Sequence, residues 1–106
     1  LPASVFSRST ECHNQDKVSM GTIAARDAIR VLELTEQVAA AALLAANQGV
    51  WLRSREADAR PLPAALDAMH RQLAEDFAPV IEDRALEGEL RLCLQRIAQQ
   101  HWRLHA

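Results

Sequence analysis

Tyrosine is absent from the 106-residue chain, and glycine, proline and lysine are scarce, with three, four and one residue respectively. Residues that favour strands and turns are therefore few, whereas twenty alanines and fourteen leucines favour helix. With 49% apolar residues, the chain has enough side chains to bury the core of one domain. We predict an all-α chain.

An excess of basic charge is also lacking. Eleven arginines and one lysine are dispersed among fourteen acids, which gives a formal net charge of -2 and no basic face for a nucleic-acid backbone. The longest strictly apolar run, residues 38–46, is nine residues long, whereas a membrane span needs about 20. We therefore expect neither nucleic acid nor membrane as a partner.

Cysteine is rare, with Cys12 and Cys93 far apart and no CxxC spacing. This pattern predicts two unpaired thiols and a cytoplasmic location. Adjacent residues on an extended chain point in opposite directions, which disfavours a joint role for Cys12 and His13. His101 and His105 have two-ligand helical spacing but no third ligand spaced with them, so we predict no metal site.

Four segments follow one another along the chain. Residues 1–16 are predicted to form a polar loop and residues 17–53 a long helix, because apolar residues recur at alternating spacings of three and four. Residues 54–60 are a charged connector and residues 61–106 a C-terminal helical layer. The stripe predicted as the packing face of the long helix comprises Ala24, Ala28, Val31, Thr35, Val38, Ala42 and Ala45.

The C-terminal layer is predicted to hold two shorter helices. Pro61 and Pro63 are tolerated in the first turn of one helix, which Pro79 ends. Asp83 is the predicted N-cap of the last helix, and residues 101–106 are expected to fray. Since the long helix is apolar on all sides after Gln37, two short helices cannot surround it. The sequence thus predicts part of a larger helical bundle or an obligate oligomer.

The polar run before the long helix has two interpretations. Asp16 can cap the helix while neighbouring amides form turns, and this is the simpler reading. Alternatively, the unpaired N–H groups at a helix start favour anions, so that the amide side chains of Asn14 and Gln15 could bind a substrate carboxylate without adding charge.

Two strings resemble a known family. Residues 13–26, HNQDKVSMGTIAAR, and residues 45–53, AANQGVWLR, are similar to the C-terminal portion of the aromatic amino-acid lyases, which include histidine, phenylalanine and tyrosine ammonia-lyases and related aminomutases. The resemblance implies an aspartase/fumarase-like helical homotetramer, with active sites shared between subunits. It also implies that this chain is the last part of a longer polypeptide.

The resemblance further implies an electrophilic prosthetic group, 4-methylidene-imidazol-5-one (MIO), formed from an internal Ala-Ser-Gly. The chain contains no such triplet, since Ala3-Ser4 is followed by Val5. By the same resemblance, Glu11, Asn14 and Gln15 match positions beside this group and the polar end of the amino-acid substrate, with Asn14 and Gln15 as the catalytic candidates.

The resemblance also bears on the substrate. Histidine-type members have glutamate where Gln15 stands, so Gln15 favours L-tyrosine or L-phenylalanine and a bacterial tyrosine ammonia-lyase. The alternatives are a histidine ammonia-lyase, a tyrosine aminomutase that returns ammonia to the β-carbon, and a non-catalytic helical module that associates with itself.

Overall fold

A computed structural model of the chain describes residues 1–6, 9–10, 12, 14 and 18–102. Within these ranges the structure contains a 3₁₀ turn, Ala3–Val5, and three α-helices, with no strand. The helices are α1 (Gly21–Ser54), α2 (Ala64–Asp76) and α3 (Glu87–Ala98). The predicted all-α class is confirmed. The chain divides into two units, Leu1–Thr35 and Glu36–Ala106, which are described in turn.

In the first unit, α1 begins at Gly21 and not at the predicted Lys17, which lies outside the described residues. The hydroxyl of Ser19 accepts a hydrogen bond from the N–H of Gly21 at 3.3 Å. The first helical bond runs from the N–H of Ala24 to the carbonyl of Met20 at 2.9 Å. Serine competes for backbone donors in this way and therefore starts helices more readily than it continues them.

The stripe predicted as the packing face of α1 is exposed in the described chain. Val31 and Val38, for example, are 61% and 69% exposed. Ala40 is instead the one residue of α1 that is fully buried among those described. In the described ranges, none of the helices combines the length and apolar character needed to cross a membrane.

The second unit contains the core. Its centre is Cys93 of α3, which is fully buried and donates its S–H to the carbonyl of Ala40 at a sulfur–oxygen distance of 3.8 Å. Half-buried Leu43 and Leu44 pack against this cluster. The buried face of α1 therefore lies beside the predicted stripe. The full set of buried core residues is Ala40, Leu73, Phe77, Cys93 and Trp102.

The ends of α2 and α3 differ from the predicted ones. Pro63 is the N-cap of α2, because its ψ of 141° is not helical and leaves the residue just outside the helix. Asp83 does not cap α3, whose N-cap is Leu86 without a side-chain hydrogen bond. Arg84 pairs with Glu89 and donates to the carbonyl of Ala78, and the chain is non-helical up to Leu86.

The C-terminal end of α3 is closed by a Schellman motif. The N–H of Gln100 bonds the carbonyl of Ile97, and the N–H of His101 bonds that of Arg96, both at 3.0 Å. Gln100 adopts the left-handed conformation of this motif, with φ 50°. The turn brings Trp102 into the core at 6% exposure, so the predicted fraying is wrong for residues 101–102. Residues 103–106 lie outside the described ranges.

Candidate functional site

Only part of the polar run before α1, residues 12 and 14, lies within the described residues. The side chain of Asn14 is exposed, whereas Glu11 and Gln15 lie outside the described residues. Cys12, between them, is exposed and has a positive φ of 60°. The structure thus places one of the three candidate site residues, and the joint site remains a prediction.

The start of α1 supplies backbone donors next to this run. Ser19 satisfies the N–H of Gly21, but no described residue caps the N–H groups of Thr22 and Ile23. The first turn of α1 contains no acidic residue. The positive end of a helix is an environment in which an anionic group is favoured. This geometry is compatible with both readings of the polar run.

The second family-like string has a structural role that the sequence analysis did not assign. The side-chain amide of Gln48 donates from Nε2 to the carbonyl of Val80 and accepts the N–H of Val80 at Oε1, both at 2.9 Å. Its neighbour Asn47 accepts a bond at Oδ1 from Nδ1 of His70 at 2.6 Å. Because a carbonyl oxygen can only accept, Nδ1 of His70 carries the proton.

These two amides tie α1 to the rest of the second unit. Asn47 holds α2 through His70, and Gln48 holds the segment between α2 and α3 through Val80. The sequence carried a signal for this role, since two consecutive amides follow a nine-residue apolar run. Amides at such positions need buried partners.

A cavity of about 360 Å³ adjoins Gln48 in the second unit. Its polar side chains already have partners, because Arg84 pairs with Glu89 and donates from Nη2 to the carbonyl of Ala78 at 3.1 Å. Its remaining walls are largely apolar. They include Ala41, Leu44, Ala45, Phe77, Val80 and Leu90.

Two further predictions concern titratable side chains. Both cysteines are free, as predicted, with Cys12 exposed and Cys93 buried. Burial raises the pKa of the Cys93 thiol above its ordinary value of 9.0.

No group of three or more His, Cys, Asp and Glu side chains in the described residues is placed to hold a metal ion, and His13 and His105 lie outside them.

Comparison with known proteins identifies the family. The model of the aromatic amino acid lyase family matches residues 1–75, and the chain belongs to this family. The chain is 39% identical over 101 residues to a histidine ammonia-lyase of Caenorhabditis elegans, a match that covers 92% of the chain and 14% of the relative. It is 41% identical over 85 residues to a histidine ammonia-lyase of Burkholderia mallei, covering 76% of the chain and 17% of the relative.

A third relative is the histidine ammonia-lyase of Caldanaerobacter subterraneus subsp. tengcongensis, 36% identical over 96 residues, covering 91% of the chain and 18% of the relative. The chain thus spans less than a fifth of the length of these curated relatives. No solved structure matches it.

Proposed function

We propose that this chain is part of an ammonia-lyase whose substrate is L-histidine. The observation that carries the proposal is the family membership, together with relatives 36% to 41% identical that are named histidine ammonia-lyases. In the proposed reaction the Cα–N bond breaks and Cβ loses a proton. The products are ammonia and the corresponding trans-α,β-unsaturated acid.

The tyrosine prediction made from the sequence becomes the second candidate. Its support is Gln15, which stands where the family resemblance puts a glutamate in histidine-type members. The relatives support histidine over most of the chain, whereas Gln15 is one position. We therefore rank L-histidine first, and L-tyrosine or L-phenylalanine second.

The methylidene-imidazolone group implied by the family does not fit the residues of this chain. Ala3 and Ser4 lie in a 3₁₀ turn whose third residue is Val5, where the cyclisation needs glycine. The group would have to form elsewhere in a longer polypeptide. The proposal therefore assigns this chain only a part in binding and orientation, through Asn14, Gln15 and Glu11.

The assembly is proposed on the exposed apolar surface of α1. Ile29, Val31 and Leu32 are each about 60% exposed, and side chains of this kind are normally covered by packing partners. We propose that further helices of the same polypeptide and of other copies cover them, in a homotetramer. The two unpaired thiols support a cytoplasmic location.

A substrate panel on the complete protein tests these proposals. Ammonia release and formation of the unsaturated acid are measured with L-histidine, L-tyrosine and L-phenylalanine, and L-histidine is expected to give the highest kcat/KM. A higher value with L-tyrosine or L-phenylalanine would select the second candidate. A β-amino acid product would indicate an aminomutase, and inactivity with all three would favour the non-catalytic module.

One variant addresses the disputed position directly. Gln15→Glu introduces the residue of histidine-type members and is expected to raise the ratio of kcat/KM for L-histidine to that for L-tyrosine. Lys17→Gln alters a neighbouring polar residue and serves as the control. An unchanged ratio in Gln15→Glu would remove position 15 as an argument about the substrate.

A further inference from the structure

His70 and His101, both in the second unit, have partners that require opposite positions of the ring proton. Nδ1 of His70 donates to Oδ1 of Asn47 at 2.6 Å. Nδ1 of His101 lies 3.4 Å from Nη1 of Arg96. A guanidinium group has donors only, so Nδ1 of His101 is the acceptor and carries no proton. The ring of His101 is therefore neutral, with its proton on Nε2.

Acid affects the two contacts differently. Histidine is the side chain that typically changes its charge between pH 5 and pH 8, and the protonated ring donates from both nitrogens. The bond from His70 to Asn47 survives protonation, because Nδ1 already donates there. At His101 the added proton points at another donor, so the hydrogen bond is lost and two positive charges face each other. The contact between His101 and Arg96 is therefore the acid-sensitive one.

The charged groups around His101 do not remove this conflict. Arg96 faces the ring from α3, and Asp76 at the end of α2 accepts a bond of 2.8 Å from Nη2 of the same guanidinium. Each ion pair among the described residues joins an arginine to an acid, and none includes a histidine. The Arg96 side chain is only 28% exposed and is held by Asp76, so it cannot turn away freely when His101 becomes charged.

The contact belongs to the turn that brings Trp102 into the core. The N–H of His101 bonds the carbonyl of Arg96 at 3.0 Å, and the His101 ring meets that of Trp102 edge to face, with 6.0 Å between the centroids. Gln100 of the same turn has the φ of 50° that suits glycine, so the turn has little stabilisation to lose. We propose that protonation of His101 opens this turn and loosens Trp102 from the core. The proposal does not depend on the reaction or on the substrate.

Hydrogen exchange in the complete protein tests the proposal. The backbone N–H groups of Gln100 and His101 are bonded within the turn, so their exchange reports its opening. Exchange is measured at about pH 5 and about pH 7.5 and divided by the rate of the unfolded chain at the same pH, which removes the chemical effect of pH on exchange. We expect protection of these two groups to be about 2- to 5-fold lower at the acidic pH.

Three variants separate the charge of His101 from other effects of acid. His101→Gln retains an acceptor that does not titrate, and it should show equal protection at the two pH values. His101→Lys carries a positive charge at both, and it should show reduced protection at both. His70→Gln is the matched control, because it removes the other described histidine of the second unit. It should keep the pH-dependent loss of the unaltered protein.

Equal protection at the two pH values in the unaltered protein would overturn the proposal. The same loss in His101→Gln as in the unaltered protein would also overturn it, since another group would then be responsible. Full protection of His101→Lys at about pH 7.5 would exclude positive charge as the cause. His101 is exposed, so these substitutions leave the buried core residues unchanged. If His101→Gln did not fold, the comparison of the unaltered protein with His101→Lys would decide.

Discussion

Gln48 and Val80 form a pair in which one side-chain amide satisfies both backbone groups of one residue. Nε2 of Gln48 donates to the carbonyl and Oε1 accepts from the N–H, each at 2.9 Å, across 32 positions of sequence. Val80 lies in a non-helical segment where no regular ladder can satisfy its backbone. The amide thus replaces a backbone partner and fixes the segment between α2 and α3 against α1.

Replacing Gln48 by alanine is expected to destabilise the protein. The change leaves a half-buried N–H and carbonyl of Val80 without partners, which should lower the free energy of unfolding by about 1 to 3 kcal/mol. Gln37→Ala removes an exposed amide of the same helix and is the control, with a change under about 0.5 kcal/mol. Denaturant unfolding of the complete protein compares the two, and equal effects would argue against the pair.

Arg96 of α3 is expected to matter more than the other arginine of that helix with an acidic partner. Arg96 donates to Asp76 at 2.8 Å, and the two side chains are only 28% and 15% exposed. Arg96→Ala strands a largely buried carboxylate and should lower the free energy of unfolding by about 2 to 4 kcal/mol. The pair between Arg91 and Glu87 is exposed, so Arg91→Ala should lower the free energy of unfolding by less than about 0.5 kcal/mol.

The melting temperatures of Arg96→Ala and Arg91→Ala are measured and compared with that of the unaltered protein. If Arg96→Ala and Arg91→Ala melted at the same temperature, the Arg96–Asp76 pair would contribute no more to stability than the exposed Arg91–Glu87 pair.

Gln100 occupies a backbone position that suits glycine. Its φ of 50° is left-handed, and a β-carbon is unfavourable there, so Gln100→Gly should raise the free energy of unfolding by about 0.5 to 1 kcal/mol. Gln99 has an ordinary helical φ of -82°, and Gln99→Gly should be destabilising by a similar amount. Melting curves of the two variants should show a higher melting temperature for Gln100→Gly and a lower one for Gln99→Gly. A lower melting temperature in both would contradict the turn geometry.

Cys93 gives the protein a pH-dependent contribution at alkaline pH. Burial raises the pKa of the folded thiol above 9.0, so the unfolded thiol ionises first as pH rises. The contribution of Cys93 to stability is therefore complete below about pH 9 and is lost as pH rises toward the higher folded pKa. Melting temperatures measured from pH 7 to pH 10 should fall less steeply in Cys93→Ala, and parallel curves would contradict this expectation.

The polar run remains to be tested by kinetics on the complete protein. If Asn14 and Gln15 contact the substrate or its prosthetic group, replacing either by alanine should reduce the rate by about 30- to 1000-fold with little change in stability. Lys17→Ala is the control and should have a small effect. The capping interpretation expects the reverse, with a lower melting temperature in Asp16→Ala and normal turnover in both amide variants.

Much of the helical architecture could be predicted from periodicity and composition. The long helix was predicted over residues 17–53 and is observed at Gly21–Ser54, and Pro79 follows α2 as expected. The helix starts were less predictable. Asp83 is a favourable N-cap by residue type, but the helix starts only after Leu86, and Arg84 beside Asp83 pairs with Glu89. Glu89 and the carbonyl of Ala78 lie five and six positions from Arg84, which are not the three- and four-residue spacings from which helical pairs are predicted.

The candidate site was predicted only as a set of residues. The family resemblance selected Asn14 and its neighbours, and family membership is confirmed by comparison. The same resemblance drew attention to Asn47 and Gln48 but gave them no role, because their partners, His70 and Val80, are more than twenty positions away. Their structural role became visible only when those partners were placed.

The sequence by itself determined that this chain is helical, that its two thiols are unpaired, and to which family it belongs. These properties follow from local propensity, from cysteine spacing and from contiguous motifs. The tertiary structure decided which side of α1 is buried, through Ala40 against Cys93, and left Val38 exposed. It also brought Trp102 into the core. A helix that is apolar on every side has no preferred face of its own, so the elements packed against it make that choice.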